Sequence, residues 1–247
     1  MNSTTDTPYP VLWIRSLAFW IVFPVSIVLY ATLLLFTFPF PLTTRWAFLQ
    51  HWVKFILWWL KVTCRLTFEV QGREHVEEGP AIVFSKHQST WETIALQRIF
   101  PLQVWVAKRE LMWLPFFGWS LALMKCIAIK RGTGRAAIRQ LITQGKARLD
   151  EGIWIVIFPE GTRIPPGERG QYRIGGAILA EKTGYPIVPV AHNAGEYWPR
   201  RSFIKRPGVI RVRVGAPIRT EGKSAQQLLD EAADWIEGRM SEITTLG

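Results

Sequence analysis

Between Ser16 and Thr44 the chain carries no charged side chain. Its apolar heart, Leu17 to Phe38, is long enough to cross a hydrocarbon layer about 30 Å thick as a helix. A soluble domain would need a very large core to hide such a run, and a chain of 247 residues has room for one large core, not two. A cleaved leader would be shorter and followed by small residues, whereas Phe, Pro and Trp follow here, so a retained membrane segment is expected. Pro24 should kink or split the helix. Arg15 stands on one side and Arg45, Lys54, Lys61 and Arg65 on the other, which places the remainder of the chain in the cytoplasm.

The stretch Trp46 to Lys61 is apolar and rich in Trp but interrupted by Gln50, His51 and Lys54. It reads as a helix lying in the interface, and a hairpin dipping into one leaflet and a true crossing both stay open. From Val62 the pattern changes to short β-rich runs alternating with helical ones. Strands are expected at 62–70, 81–85, 104–107, 125–130, 153–158, 186–191 and 209–214, and helices at 90–99, 135–150, 174–182 and 225–242. That alternation predicts an α/β fold, a mixed β-sheet flanked by helices. The organisation expected is therefore a membrane-anchoring segment, 1–61, and an α/β domain, 62–247.

Lys and Arg (30) exceed Asp and Glu (19), a net charge of +11, so an anionic partner is expected. Nucleic acid is the weakest candidate, because no basic-aromatic ladder or recognised binding module is visible. Two cysteines, Cys64 and Cys126, are too few for a disulfide framework, and four scattered His give no zinc spacing, so no metal is expected. Gly118-Trp119-Ser120 lacks the second Gly of a nucleophile elbow. Gly222-Lys223-Ser224 resembles the end of a phosphate-binding loop, but Pro217 stands where its first Gly belongs.

Three segments carry chemistry. In AIVFSKHQSTWETIAL, His87 falls between a strand and a helix start, where α/β folds keep their sites. Glu92 completes a capping pattern with Ser89, and it is also one turn into the helix, where it can hold one ring nitrogen of His87 and leave the other free as a base. In IWIVIFPEGTR an apolar strand exits into Glu160, Gly161, Thr162 and Arg163; Gly161 permits close backbone approach and Arg163 offers a planar fork suited to phosphate oxygens. In AKRELMWLPFFGW, Lys108 and Arg109 border an uncharged aromatic stretch, as a phosphate headgroup on an acyl chain requires.

Taken together, these blocks resemble the PlsC-like glycerolipid acyltransferases, specifically bacterial 1-acyl-sn-glycerol-3-phosphate acyltransferases. HQSTWE, His87 to Glu92, matches the family's H-x4-D; KRELMWLPFFGW, FPEGTR and PIVPVAHNAG (Pro186 to Gly195) follow in order. The likeness spans roughly Glu69 to Arg219. It implies acyl transfer from acyl-CoA or acyl carrier protein to the hydroxyl of lysophosphatidic acid at a bacterial inner membrane, with no cofactor beyond that donor and with membrane phospholipid as a partner. His87 is then the base and Glu92 its orienting carboxylate. Arg163, Lys108, Thr162, Gly161 and Glu160 are placed at the substrate phosphate, with Glu160 binding polar groups or bracing Arg163, and Arg109 and Arg131 as supporting cations. The family commonly has Asp where Glu92 stands and Ser where Ile164 stands. Another lysolipid as acceptor, or a non-catalytic module binding anionic lipid, are the alternative readings.

Overall fold

A computed structural model describes residues 7–76, 79–130, 132 and 134–246. The first helix, α1 (Tyr9–Leu35), runs without a break through Pro24, so the proline does not split it. Ile14, Ile21, Val25, Val28 and Leu29 of α1 are exposed, an uncharged stripe recurring at helical spacing. Among the described residues α1 is the one helix long and apolar enough to cross a membrane. Its opposite side buries Phe19 and Phe23.

The second helix, α2 (Leu42–Cys64), packs beside α1 and buries Val53, Ile56, Leu60 and Cys64, a stripe of three- and four-residue steps. It continues three residues past the expected end. Val62 to Cys64 therefore belong to the helix and not to a strand, because the left-handed Arg65 (φ 52°) ends α2 and turns the chain directly into β1 (Leu66–Gln71).

The remaining elements are a 3-10 turn (Arg73–His75), β2 (Ile82–Ser85), α3 (Trp91–Ile99), β3 (Gln103–Lys108), a second 3-10 turn (Arg109–Trp113), α4 (Phe117–Leu123), β4 (Ile127–Ile129), α5 (Arg135–Asp150), β5 (Trp154–Ile157), α6 (Gly175–Thr183), β6 (Ile187–His192), α7 (Ala194–Tyr197), β7 (Gly208–Val214) and α8 (Ala225–Ile243). The sheet order is β1-β7-β6-β2-β5-β3-β4, with β6 and β7 antiparallel and every other neighbouring pair parallel. It is the expected mixed sheet.

Strands β2, β5 and β6 read as continuous apolar runs because helices cover both faces. Val83, Trp154, Val156, Val188 and Val190 face a core shared with α1, α2 and α3. Ile82, Phe84, Ile155, Ile157 and Ile187 face a second core under α5, α6 and α8. Parallel order aligns the carboxyl ends of β2, β5 and β3 along one edge, where ligands bind in open α/β sheets. His87, Phe158 to Arg163 and Lys108 all emerge there.

Candidate active site

His87 follows β2 by two residues, and its main chain is held from both sides. Its N–H donates to Glu160 Oε2 at 2.8 Å and its C=O accepts from Ile164 N–H at 2.8 Å, so the loop after β5 clasps the turn after β2. His87 Nδ1 lies 2.8 Å from Glu92 Oε1. A carboxylate only accepts, so the proton sits on Nδ1 and the Nε2 lone pair is left free. The ring is stacked on Phe158 with centroids 4.0 Å apart, and Phe158 stacks in turn on Trp105 at 5.8 Å. This fixes the ring plane.

Glu92 is fully buried, and its Oε1 also accepts the N–H groups of Gln88 and Ser89. Ser89 Oγ accepts from Trp91 N–H, but α3 begins at Trp91 with Thr90 as its N-cap and no side-chain cap, so the capping box expected with Ser89 as N-cap does not form; only its Glu92 half, the bond to the Ser89 N–H, is made. One carboxylate thus ties down the helix start and orients the imidazole at once. Burial alone would raise the Glu92 pKa. Adjacent His192, the His87 ring and the Ser89 N–H favour the carboxylate and together hold it below the usual range. The extra methylene relative to Asp is absorbed by a carboxylate still within hydrogen-bonding distance of all three donors.

Behind His87 lies a buried ionic cluster. Lys86 is 1% exposed, and its ammonium is 2.8 Å from both Glu160 Oε1 and Glu237 Oε1 while donating to the C=O of Glu168. Tyr172 donates its hydroxyl to Glu237. Burial raises the Glu160 pKa, opposed by Lys86 and the His87 N–H. Glu160 was expected near the substrate phosphate or bracing Arg163. It instead braces Lys86 and the His87 backbone, because its carboxylate is fully buried beneath the site. His192 of block four donates Nε2–H to the Lys86 C=O at 2.8 Å, and burial holds its own pKa down.

His87, Lys108, Gly161, Thr162 and Arg163 line one cavity of about 610 Å³. Arg109 opens the 3-10 turn next to Lys108 and does not line it; Arg131 lies outside the described residues. Gly161 has φ +67°, a left-handed conformation that favours glycine, and a Cβ there would meet the Arg173 guanidinium at 2.9 Å. The same cavity extends between β3, α3 and the first two helices, walled by Phe23, Ile27 and Leu34 of α1 and Leu49 and Trp52 of α2. The aromatic stretch after Arg109 divides: Leu111 and Phe117 line the cavity, whereas Trp113, Phe116 and Trp119 are exposed on the outer surface.

The cavity lining also includes buried polar groups. Gln103 is 2% exposed with neither side-chain amide atom hydrogen-bonded among the described residues, and Gln97 Oε1 is likewise unpartnered. No periodicity signals these two residues, nor Lys86, Glu237 and Tyr172, whose partners lie far along the chain. Lys86 alone left a trace in the sequence, as a charge at the exit of an otherwise apolar strand.

An oriented imidazole at a strand end, cationic side chains and an apolar groove against α1 and α2 thus meet in one cavity. The comparisons specify the class. The sequence model described as Acyltransferase matches residues 67–193. The 1-acyl-sn-glycerol-3-phosphate acyltransferase of Pseudomonas aeruginosa is 42% identical over 238 residues, covering 94% of this chain and 93% of its own. The enzyme of that name from Saccharomyces cerevisiae is 31% identical over 192 residues, covering 72% of this chain and 62% of its own. The crystal structure of PlsC, the 1-acyl-sn-glycerophosphate (LPA) acyltransferase from Thermotoga maritima, has the same fold, with a TM-score of 0.77 at 22% identity over 94% of this chain and 96% of that one. The chain belongs to the acyltransferase family and is an enzyme of that class.

Proposed function

We propose that the protein transfers a fatty acyl group from a thioester to the sn-2 hydroxyl of 1-acyl-sn-glycerol 3-phosphate, forming phosphatidic acid. The observation that carries this reading is one cavity that holds a free imidazole nitrogen, cations with no carboxylate partner among the described residues, and an apolar groove lined by α1 and α2. His87 Nε2 takes the hydroxyl proton as the oxygen attacks the thioester carbonyl. The tetrahedral intermediate collapses, the C–S bond breaks, and the imidazolium returns its proton to the leaving thiolate. Glu92 steadies the imidazolium in between. The thioester is already activated, so a base, positioning and electrostatic support suffice. Lys108, Arg163 and the Thr162 hydroxyl hold the phosphate.

The acyl chain lies along the apolar part of the groove, whose lining also includes Gln97 and Gln103. Helices α1 and α2, to Cys64, anchor the protein, with the α1 stripe and the exposed Trp113, Phe116 and Trp119 in lipid. The chain from β1 onward forms the catalytic domain. The charge asymmetry about α1 puts that domain on the cytoplasmic side of a bacterial inner membrane. The +11 charge suits both the anionic lipid surface and a polyanionic donor, acyl-CoA or acyl carrier protein.

Arg163→Ala tests the headgroup assignment. Loss of a charge-assisted hydrogen bond should raise KM for lysophosphatidate about tenfold or more and leave a monoacylglycerol acceptor, which lacks phosphate, unaffected. Initial rates in mixed micelles measure both. Equal effects on the two acceptors would remove Arg163 from the phosphate.

A further inference from the structure

The chain between α7 and β7, residues 198–207, forms a strap whose base is fastened to α1. Lys205 is fully buried. Its ammonium lies 4.0 Å from the Trp20 ring centroid and 4.9 Å from that of Trp198, and it donates to the C=O groups of Ser202 and Phe203. The Lys205 N–H donates to Ser16 Oγ, and the Trp20 indole N–H donates to the Phe203 C=O. Ser16 and Trp20 both belong to α1. The turn closes on itself where Arg206 N–H meets the Tyr197 C=O at 2.8 Å.

At the outer end of this strap Arg200 is exposed, and its guanidinium donates to Thr162 Oγ1 and to the Arg163 C=O, both at 3.4 Å. Arg200 lines the same cavity as His87, Lys108 and Arg163. Among the described residues no carboxylate is paired with Lys108, Arg163 or Arg200, whereas the buried Lys86 has two. Three like charges around one cavity mouth repel one another until an anion arrives. Two long bonds through one nitrogen also leave most of the five guanidinium donors of Arg200 unused.

We infer that Arg200 is a third headgroup-binding cation, and that it selects a phosphate monoester, which approaches two negative charges, over a singly charged phosphodiester. This rests on the proposed placement of the phosphate at Lys108 and Arg163. A monoester has three terminal oxygens for three cations; a diester has two, and its second substituent meets the strap. Because Lys205 anchors the strap to α1, the third cation is held in register with the membrane helix. No sequence motif includes Arg200, since it reaches the site through chain folding alone.

The test compares Arg200→Ala, Arg200→Lys and Arg163→Ala in the full chain. Lysophosphatidate and lysophosphatidylglycerol are the acceptors, with whichever acyl thioester supports wild-type turnover. Arg200→Ala is expected to raise KM for lysophosphatidate about tenfold, to change kcat less than about twofold, and to shrink the monoester-to-diester preference by a similar factor. Arg200→Lys should recover part of that preference. If Arg163→Ala weakens lysophosphatidate binding while Arg200→Ala leaves the preference intact, the inference fails and the phosphate site stands. If neither substitution alters the preference, the phosphate site itself is misplaced and the inference falls with it.

Discussion

His87→Ala is expected to reduce acyl transfer by about 10² to 10⁴-fold while liposome binding and the unfolding transition change little. Among the described residues the imidazole is the one group in the cavity with an available basic nitrogen fixed in direction. Glu92 sets its tautomer, Phe158 sets its plane, and Glu160 and Ile164 hold its backbone. Its removal empties a partly exposed position and orphans no core donor, so folding should survive. Glu92→Gln keeps the shape and an acceptor for the Gln88 and Ser89 N–H groups but loses the charge that steadies an imidazolium. Its rate should also fall, with the fold retained. Steady-state rates beside vesicle sedimentation measure both variants. A non-catalytic lipid-binding module would show no change in rate.

Lys86→Met should be the most destabilising single change near the site, at about 3 to 5 kcal/mol. Methionine fills the space of the stem but leaves Glu160 fully buried without its cation, and Glu237 loses its partner as well. A buried charge stripped of its counter-ion must either be solvated or take up a proton, and both disturb the Glu160 contact to the His87 N–H. Activity should therefore fall along with stability, although Lys86 is absent from the cavity wall. Replacing all three groups together, Lys86→Met with Glu160→Gln and Glu237→Gln, should recover much of the lost stability, since no ion is then left alone. Denaturant titrations of both variants against wild type test this. A loss under about 1 kcal/mol in Lys86→Met would mean that the cluster is screened by solvent.

The sequence disclosed what local pattern controls. Uninterrupted apolar runs marked β2, β5 and β6 to within a residue or two because both their faces are buried, and α5 was legible from its periodicity alone. The end of α2 was not. Val62 and Thr63 favour strands by type, and the boundary depends on Arg65 adopting a left-handed conformation that no local preference announces. The site divides in the same way. His87, Glu92, Gly161, Thr162 and Arg163 cluster at two strand exits, where neighbours in sequence remain neighbours in space. Glu160 lies in the same block, yet its neighbours disclose nothing of its role. Its partner is Lys86, just past the end of β2, a strand paired with the β5 that precedes Glu160, and the cluster closes through Glu237 on α8, 77 positions further along. Arg200 is hidden for the same reason. The membrane segment could be read from composition, but the groove could not, because it exists only where α1 and α2 lean against β3 and α3.

A crystal structure of the protein with 1-acyl-sn-glycerol 3-phosphate bound and no acyl donor present tests the roles of His87, Lys108 and Arg163 together. The sn-2 hydroxyl oxygen is expected about 2.6 to 3.2 Å from His87 Nε2, with the phosphate against Arg163 and Lys108 and the acyl tail directed toward α1 and α2. A lysolipid bound with its hydroxyl out of reach of that nitrogen, and its phosphate away from those two cations, would overturn these assignments.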